Sequence, residues 1–211
     1  MMKKLINLLG QIRIYSILDL VLLLIAISTQ NLQFIGVILL HLSFILFLEL
    51  KHKHSYREKF PQFLWIILGL VGILLYKNLV VIGFILFSYL YTKKNIKTLG
   101  IYSSVFRGLQ VYFLVAGITG FTNNLAIFSF VLLTLRNLAG DLRDIKRDKQ
   151  EGMKTLPIIL GLKRDIKYLH LIVLLITSFI WWYFVSISIV WLFGIYFIQI
   201  VTYNITPRKN P

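Results

Sequence analysis

Asn137, Asp141, Asp144 and Asp148 place four oxygen-bearing side chains at helical spacing in the run RNLAGDLRDIKRDKQEGMKTLP, residues 136–157. At roughly 100° per residue the four share about 60° of arc, while the interleaved Arg143, Lys146, Arg147 and Lys149 point elsewhere. Carboxylates this close repel one another, and a divalent cation neutralises them. An all-oxygen set suits Mg²⁺ that shares phosphate oxygens. A solvated loop with alternating charges would show the same spacing, so spacing alone leaves both readings open.

Composition explains why the stripe stands out. The 211-residue chain is 58% hydrophobic and has only eight acidic residues, of which the stripe holds three. Its 23 Lys and Arg give a net charge of +15, which in a soluble protein would point to nucleic acid. Apolar runs along almost the whole length overrule that reading. They indicate a polytopic membrane protein whose surroundings are the lipid bilayer, with no nucleic-acid partner. The absence of cysteine excludes disulfides, thiolate metal sites and a cysteine nucleophile.

The elements that must position the stripe are eight apolar segments: Tyr15 to Thr29, Leu32 to Leu50, Phe60 to Tyr76, Leu79 to Thr92, Tyr102 to Phe121, Leu125 to Gly140, Tyr168 to Val185 and Ile187 to Tyr203. Several fall short of the roughly 20 residues that a straight span needs. Charge placement sets the count. With eight spans, every Lys and Arg except Lys77 and the intramembrane Arg107 and Arg136 lies on one side. The positive-inside rule puts that side, with both termini and the acidic stripe, in the cytoplasm. Merging the third and fourth segments would send the Lys51 and Lys93 clusters to opposite faces. A signal-peptide reading of the first segment is disfavoured by Asp19 within it. The expectation is an all-α transmembrane bundle in which residues 1–211 form a single integral membrane domain.

Arg136-Asn137, then Asp141-Leu-Arg-Asp144-Ile-Lys-Arg-Asp148, then Gly152-Met-Lys154-Thr155-Leu156-Pro157 and Gly161, resembles the second aspartate-rich motif of the UbiA superfamily of intramembrane prenyltransferases. Upstream, Tyr91-Thr-Lys93-Lys94, with Gly100 and Arg107-Gly108 opening the next helix, is similar to that family's tyrosine-and-basic segment after the fourth helix. The acidic motif closes the sixth span, as it does there. Family members are usually longer by one span, so a compact version without the last helix is expected.

The resemblance implies specific chemistry. Such enzymes bind a prenyl diphosphate between helices, with Mg²⁺ held by two acidic motifs that face each other. Ions and nearby Lys or Arg stabilise the departing diphosphate, and an apolar or amphipathic acceptor captures the allylic cation in a water-poor cavity. Carried over residue by residue, the metal positions are Asn137, Asp141, Asp144 and Asp148, with the three aspartates catalytic. Lys94, Arg107, Arg143 and Lys154 are the matching candidates for the diphosphate.

The chain departs from the family at its first acidic motif, expected near residues 48–56. There it reads Leu-Glu-Leu-Lys-His-Lys-His-Ser-Tyr. Glu49 and His52 can fill two ligand positions opposite the stripe, but Lys51, Lys53 and Arg57 make the region basic; a cationic replacement that grips diphosphate directly is one outcome, and a non-catalytic relative that binds prenyl diphosphate or a partner subunit is the other. Asp19, Arg107 and Arg136 would each cost about 2.5 to 3.5 kcal/mol facing lipid at mid-membrane, so they are expected to face the interior. A small transporter would also carry such charges, but the two matching halves with broken helices that it calls for are not seen.

Overall fold

The computed structural model describes residues 2–29, 31–51 and 59–207. Those residues contain twelve helices and no strand. In chain order they are α1 (Met2–Gln11), α2 (Ile14–Ala26), α3 (Asn31–Lys51), α4 (Leu64–Tyr76), α5 (Val81–Tyr91), α6 (Lys97–Ile101), α7 (Ser103–Thr119), α8 (Asn124–Arg143), α9 (Ile145–Gln150), α10 (Leu156–Ile159), α11 (Leu169–Tyr183) and α12 (Ile189–Ile205). Each of the eight apolar segments coincides with one helix, namely α2, α3, α4, α5, α7, α8, α11 and α12. The short α6, α9 and α10 are additional, as is the N-terminal α1.

Among the described residues two helices, α3 and α8, are long and apolar enough to cross a membrane. A third crossing arises if α1 and α2, bent by 40° at their junction, act as one span. The shorter apolar helices α4, α5, α11 and α12 have 11 to 17 residues. At 1.5 Å per residue they reach about 17 to 25 Å, less than the roughly 30 Å hydrocarbon core, so any crossing by them relies on local thinning of the bilayer.

The helices sort into two compact units, one of residues 1–77 with 178–210 and one of residues 78–177. In the first unit α3 and α4 are the most extensively packed pair, and glycine allows them to touch backbone to backbone. A Cβ on Gly72 would sit 3.1 Å from the Gly36 carbonyl oxygen and 3.0 Å from the Leu40 amide nitrogen. Small residues at a helix crossing are the usual means of close approach where lipid gives no hydrophobic drive to associate. A polar chain lies inside the same unit: Ser178 donates to Asp19 at 3.1 Å, and Gln199 donates to Ser178 at 2.7 Å and to the Tyr15 carbonyl at 3.2 Å. Asp19 is buried, as an intramembrane carboxylate must be.

In the second unit α7 packs most extensively on α8 and next on α5. Gly108 lies against the Phe130 carbonyl oxygen, where a Cβ would come within 2.6 Å. The buried Arg107 donates to Gln110 at 2.7 Å, and Gln110 donates to Ser88 of α5 at 2.6 Å, so Gln110 links the guanidinium inside the unit to α5. Helix α8 begins where the Asn123 side chain accepts the Leu125 amide at 2.8 Å, an N-cap that fixes its start in the Thr122–Asn124 link.

Candidate active site

Helix α8 ends at Arg143, and Asp144 joins it to α9 with non-helical dihedrals of φ −109° and ψ 19°. The acidic stripe therefore does not lie on one continuous helix, as the spacing suggested. The break still leaves Asp141, Asp144 and Asp148 all buried, so the aspartates face inward on both sides of it. The interleaved arginines do not point away. Arg143 and Arg147 are long enough to fold back onto the aspartates beside them.

Asp141 is the hub. Its Oδ1 accepts from Lys94 Nζ at 2.7 Å, and its Oδ2 accepts from Ser103 at 3.1 Å, Ser104 at 3.0 Å and the Asn137 amide nitrogen at 3.3 Å. The donors come from three places: the α5–α6 link, the first turn of α7, and one turn earlier on α8. Lys94 Nζ also lies 4.3 Å from the Tyr91 ring centroid, and the Tyr91 hydroxyl donates to Asn137 Oδ1 at 2.9 Å. An ionised carboxylate only accepts, so Asn137 must turn its nitrogen toward Asp141 and its oxygen toward Tyr91.

Four residues on, the chemistry is guanidinium on carboxylate. Arg143 grips Asp144 through Nε at 2.7 Å and Nη2 at 2.5 Å, the two-pronged geometry that makes such pairs strong. Arg147 Nη2 bridges Asp144 at 2.7 Å and Asp148 at 3.2 Å. Arg143 Nη1 meets His170 Nδ1 at 3.0 Å, and because arginine can only donate, that imidazole nitrogen is the acceptor. His170 opens α11 and lies over Gly140, where a Cβ would be 3.3 Å from its ring.

Burial shapes the charges outside the spans. It pushes the Asp148 carboxyl up to about 7, with Asp141 and Asp144 adding repulsion while Lys94 and Arg147 pull the other way. Burial alone would lower the Lys94 ammonium, but Asp141, Tyr91 and Asp148 outweigh it and hold the lysine firmly charged. Arg147 is likewise raised against its burial by Asp144 and Asp148.

The remaining candidates fall into distinct places. Lys154 donates its backbone amide to the Lys94 carbonyl at 2.8 Å while its side chain is exposed, so it braces the Lys94 link through the main chain. Gly100 makes that link possible, because a Cβ there would come within 2.5 Å of both the Lys94 and Lys154 carbonyl oxygens. Arg107 is one turn beyond Ser103 and Ser104 on α7 and is held by Gln110. Glu49 lies in the first unit, where Gln11 donates to it at 3.1 Å and Arg13 at 3.2 Å. His52 lies outside the described residues. Sequence reasoning did not pick out Ser103, Ser104 or His170. Paired serines opening a helix and one histidine in an apolar segment carry no spacing signal of their own.

A divalent ion fits this arrangement poorly. Among the described residues no three His, Cys, Asp or Glu side chains gather to hold one. Both oxygens of Asp141 are engaged, the Asn137 oxygen is committed to Tyr91, and Asp144 is closed off by two arginines.

Residues 120–196, which contain all four members of the stripe and His170, match the VviA prenyltransferase family. Digeranylgeranylglyceryl phosphate synthase of Sulfurisphaera tokodaii, a member of the UbiA superfamily, is 30% identical over 157 residues. Over these stretches the chain resembles UbiA-superfamily prenyltransferases. That alignment covers 64% of this chain and 54% of the relative, so the chain spans about half the length of the curated relative it matches. No solved structure matches. The likeness agrees with the helical architecture, and the family match includes the Asn137–Gly161 run. UbiA-like prenyltransferases generally use a divalent metal, which makes the poor fit of an ion here a feature of this chain.

Proposed function

We propose that this chain is an integral membrane prenyltransferase that moves an isoprenoid group from its diphosphate to an apolar or amphipathic acceptor. The observation that carries the reading is the buried convergence of Lys94, Ser103, Ser104 and Asn137 on Asp141, at the end of an apolar helix whose Asn137 and Asp141 lie within the stretch that resembles prenyltransferases. In the reaction the allylic carbon–oxygen bond breaks, its electron pair leaves with pyrophosphate, and an acceptor atom bonds to the carbon and gives up its proton. Negative charge develops on the departing oxygen. Lys94, Arg143 and Arg147 are preorganised cations that can meet it, and donors fixed in advance stabilise charge more than water that must reorganise. Ser103 and Ser104 hold Asp141, and Asp141 in turn holds Lys94. The apolar helices around them exclude the water that would quench the allylic cation.

Eight crossings, with both termini and the Asp141 end in the cytoplasm and residues 1–211 acting as one membrane domain, complete the proposal. A prenyl diphosphate made in the cytoplasm would then reach the site head first. The supporting experiment is pyrophosphate release from geranyl, farnesyl and geranylgeranyl diphosphate by the full chain in lipid nanodiscs with a lipid extract as acceptor source. Release with at least one donor is expected. Binding of every donor without release would favour the alternative of a non-catalytic relative, the reading suggested by the altered first motif around Glu49.

A further inference from the structure

The carboxylates expected to hold metal are each already matched by a basic side chain, in both units separately. In the second unit Lys94 Nζ contacts Asp141 at 2.7 Å with its side chain only 13% exposed, and it also interacts electrostatically with Asp148. Arg147 bridges Asp144 and Asp148, and Arg143 closes the other side of Asp144. In the first unit Glu49 closes α3, at the place where the first acidic motif is expected, and its side chain is 2% exposed. Arg13 takes one of its oxygens and Gln11 the other. Arg13 reaches it from the break between α1 and α2 in a left-handed conformation, φ 57°, which a non-glycine residue adopts only when its surroundings hold it there. Burying two charges without close pairing is costly, so these pairs are commitments of the fold rather than incidental surface contacts.

We infer that basic side chains, Lys94 on Asp141 and Arg13 on Glu49, take the countercharge role of divalent ions in this chain, and that it binds a prenyl diphosphate without metal. Charge supply supports the second half. Residues 93–97 and 141–167 carry eleven Lys and Arg against five Asp and Glu, a surplus of six positive charges after every acid is matched. A diphosphate can draw on that surplus directly, since a basic field concentrates anions with no ion between. The inference rests on the preceding reading that this site takes a prenyl diphosphate.

The full chain in lipid nanodiscs tests it in two arms. In the first, geranylgeranyl diphosphate binding is measured in EDTA and in Mg²⁺. Affinities within about threefold of each other are expected, whereas a loss of about tenfold or more in EDTA that Mg²⁺ restores would overturn the inference. In the second arm Mn²⁺ is titrated and followed by electron paramagnetic resonance, in the presence and absence of inorganic pyrophosphate. Wild-type protein is expected to hold no stoichiometric Mn²⁺ on the protein in either condition, and Lys94→Met to gain one ion at the uncovered Asp141. Stoichiometric Mn²⁺ on the wild type would overturn the inference, as would a folded Lys94→Met that gains none. If Lys94→Met does not fold, the wild-type measurements decide. If the wild type binds no prenyl diphosphate in either buffer, the functional reading fails, and the wild-type Mn²⁺ titration still decides the countercharge question.

Discussion

Lys94 and Asp141, 47 positions apart in sequence, meet at 2.7 Å through Nζ and Oδ1, and the Lys94 carbonyl accepts the Lys154 amide at 2.8 Å from the other side. The lysine is therefore fixed at both its backbone and its charged tip. The Asp141 end of the pair is fixed equally, by Ser103, Ser104 and Asn137. A cation so constrained cannot relax when its partner is removed.

Asp141→Asn should therefore destabilise the protein strongly. The amide keeps the shape of the carboxylate but leaves the buried Lys94 ammonium without its charge partner, at a cost of about 3 to 5 kcal/mol. Thermal unfolding in detergent followed by circular dichroism should show a large drop in midpoint. Ser104→Ala, which removes one of three donors to the same oxygen, should cost only about 1 kcal/mol.

His170 and Arg143 should behave as one unit toward ligand. His170→Leu removes the acceptor for Arg143 Nη1, a hydrogen bond to a charged group contributing about 1.5 to 3 kcal/mol, and His170→Gln can replace it. Prenyl diphosphate affinity should fall for His170→Leu and be largely kept by His170→Gln. The Arg143→Leu and His170→Leu double variant should be no weaker than Arg143→Leu alone. Full additivity of the two losses would show that the histidine acts elsewhere.

Membrane orientation follows from charge and is tested by labelling. Single cysteines at Ser55 and Gln150 should react only from the cytoplasmic side, and one at Asn123 only from the opposite side, in a chain that otherwise has no cysteine. Reaction of Ser55 and Gln150 positions from opposite sides would rule out eight crossings.

Much of this architecture was legible in the sequence, because apolar run length and charge clustering act locally. All eight apolar segments became helices, and the inward burial of Asp19 follows from the cost of exposing a carboxylate to lipid. The aspartate stripe was legible as well, in that Asp141, Asp144 and Asp148 are all buried, as a shared face implies. Its continuity was not. At the break Arg143 and Arg147 close around the Asp144 carboxylate, contacts set by side-chain reach that helical spacing does not reveal. The partners of Asp141 were hidden for a different reason. Lys94 and the two serines come from distant turns, and only tertiary packing of α7 on α8, permitted by Gly108, brings the serines to it.

Gly108→Leu offers a separate check on that packing. The added side chain would have to displace α8 backbone at the Phe130 carbonyl, which costs about 1 to 3 kcal/mol or more in a well-packed core. Prenyl diphosphate binding should weaken along with thermal stability. Gly194→Leu, at a glycine with open space around it, should leave both nearly unchanged.

The most direct measurement is the rate of pyrophosphate release from geranylgeranyl diphosphate by the wild type and by Lys94→Met, side by side in nanodiscs with a lipid extract as acceptor source. If Lys94 meets the charge that develops on the leaving group, the wild type should release pyrophosphate and Lys94→Met should be slower by about a hundredfold, equivalent to about 2.7 kcal/mol of transition-state stabilisation. Equal rates in the two proteins, or no release by folded wild type, would contradict the account.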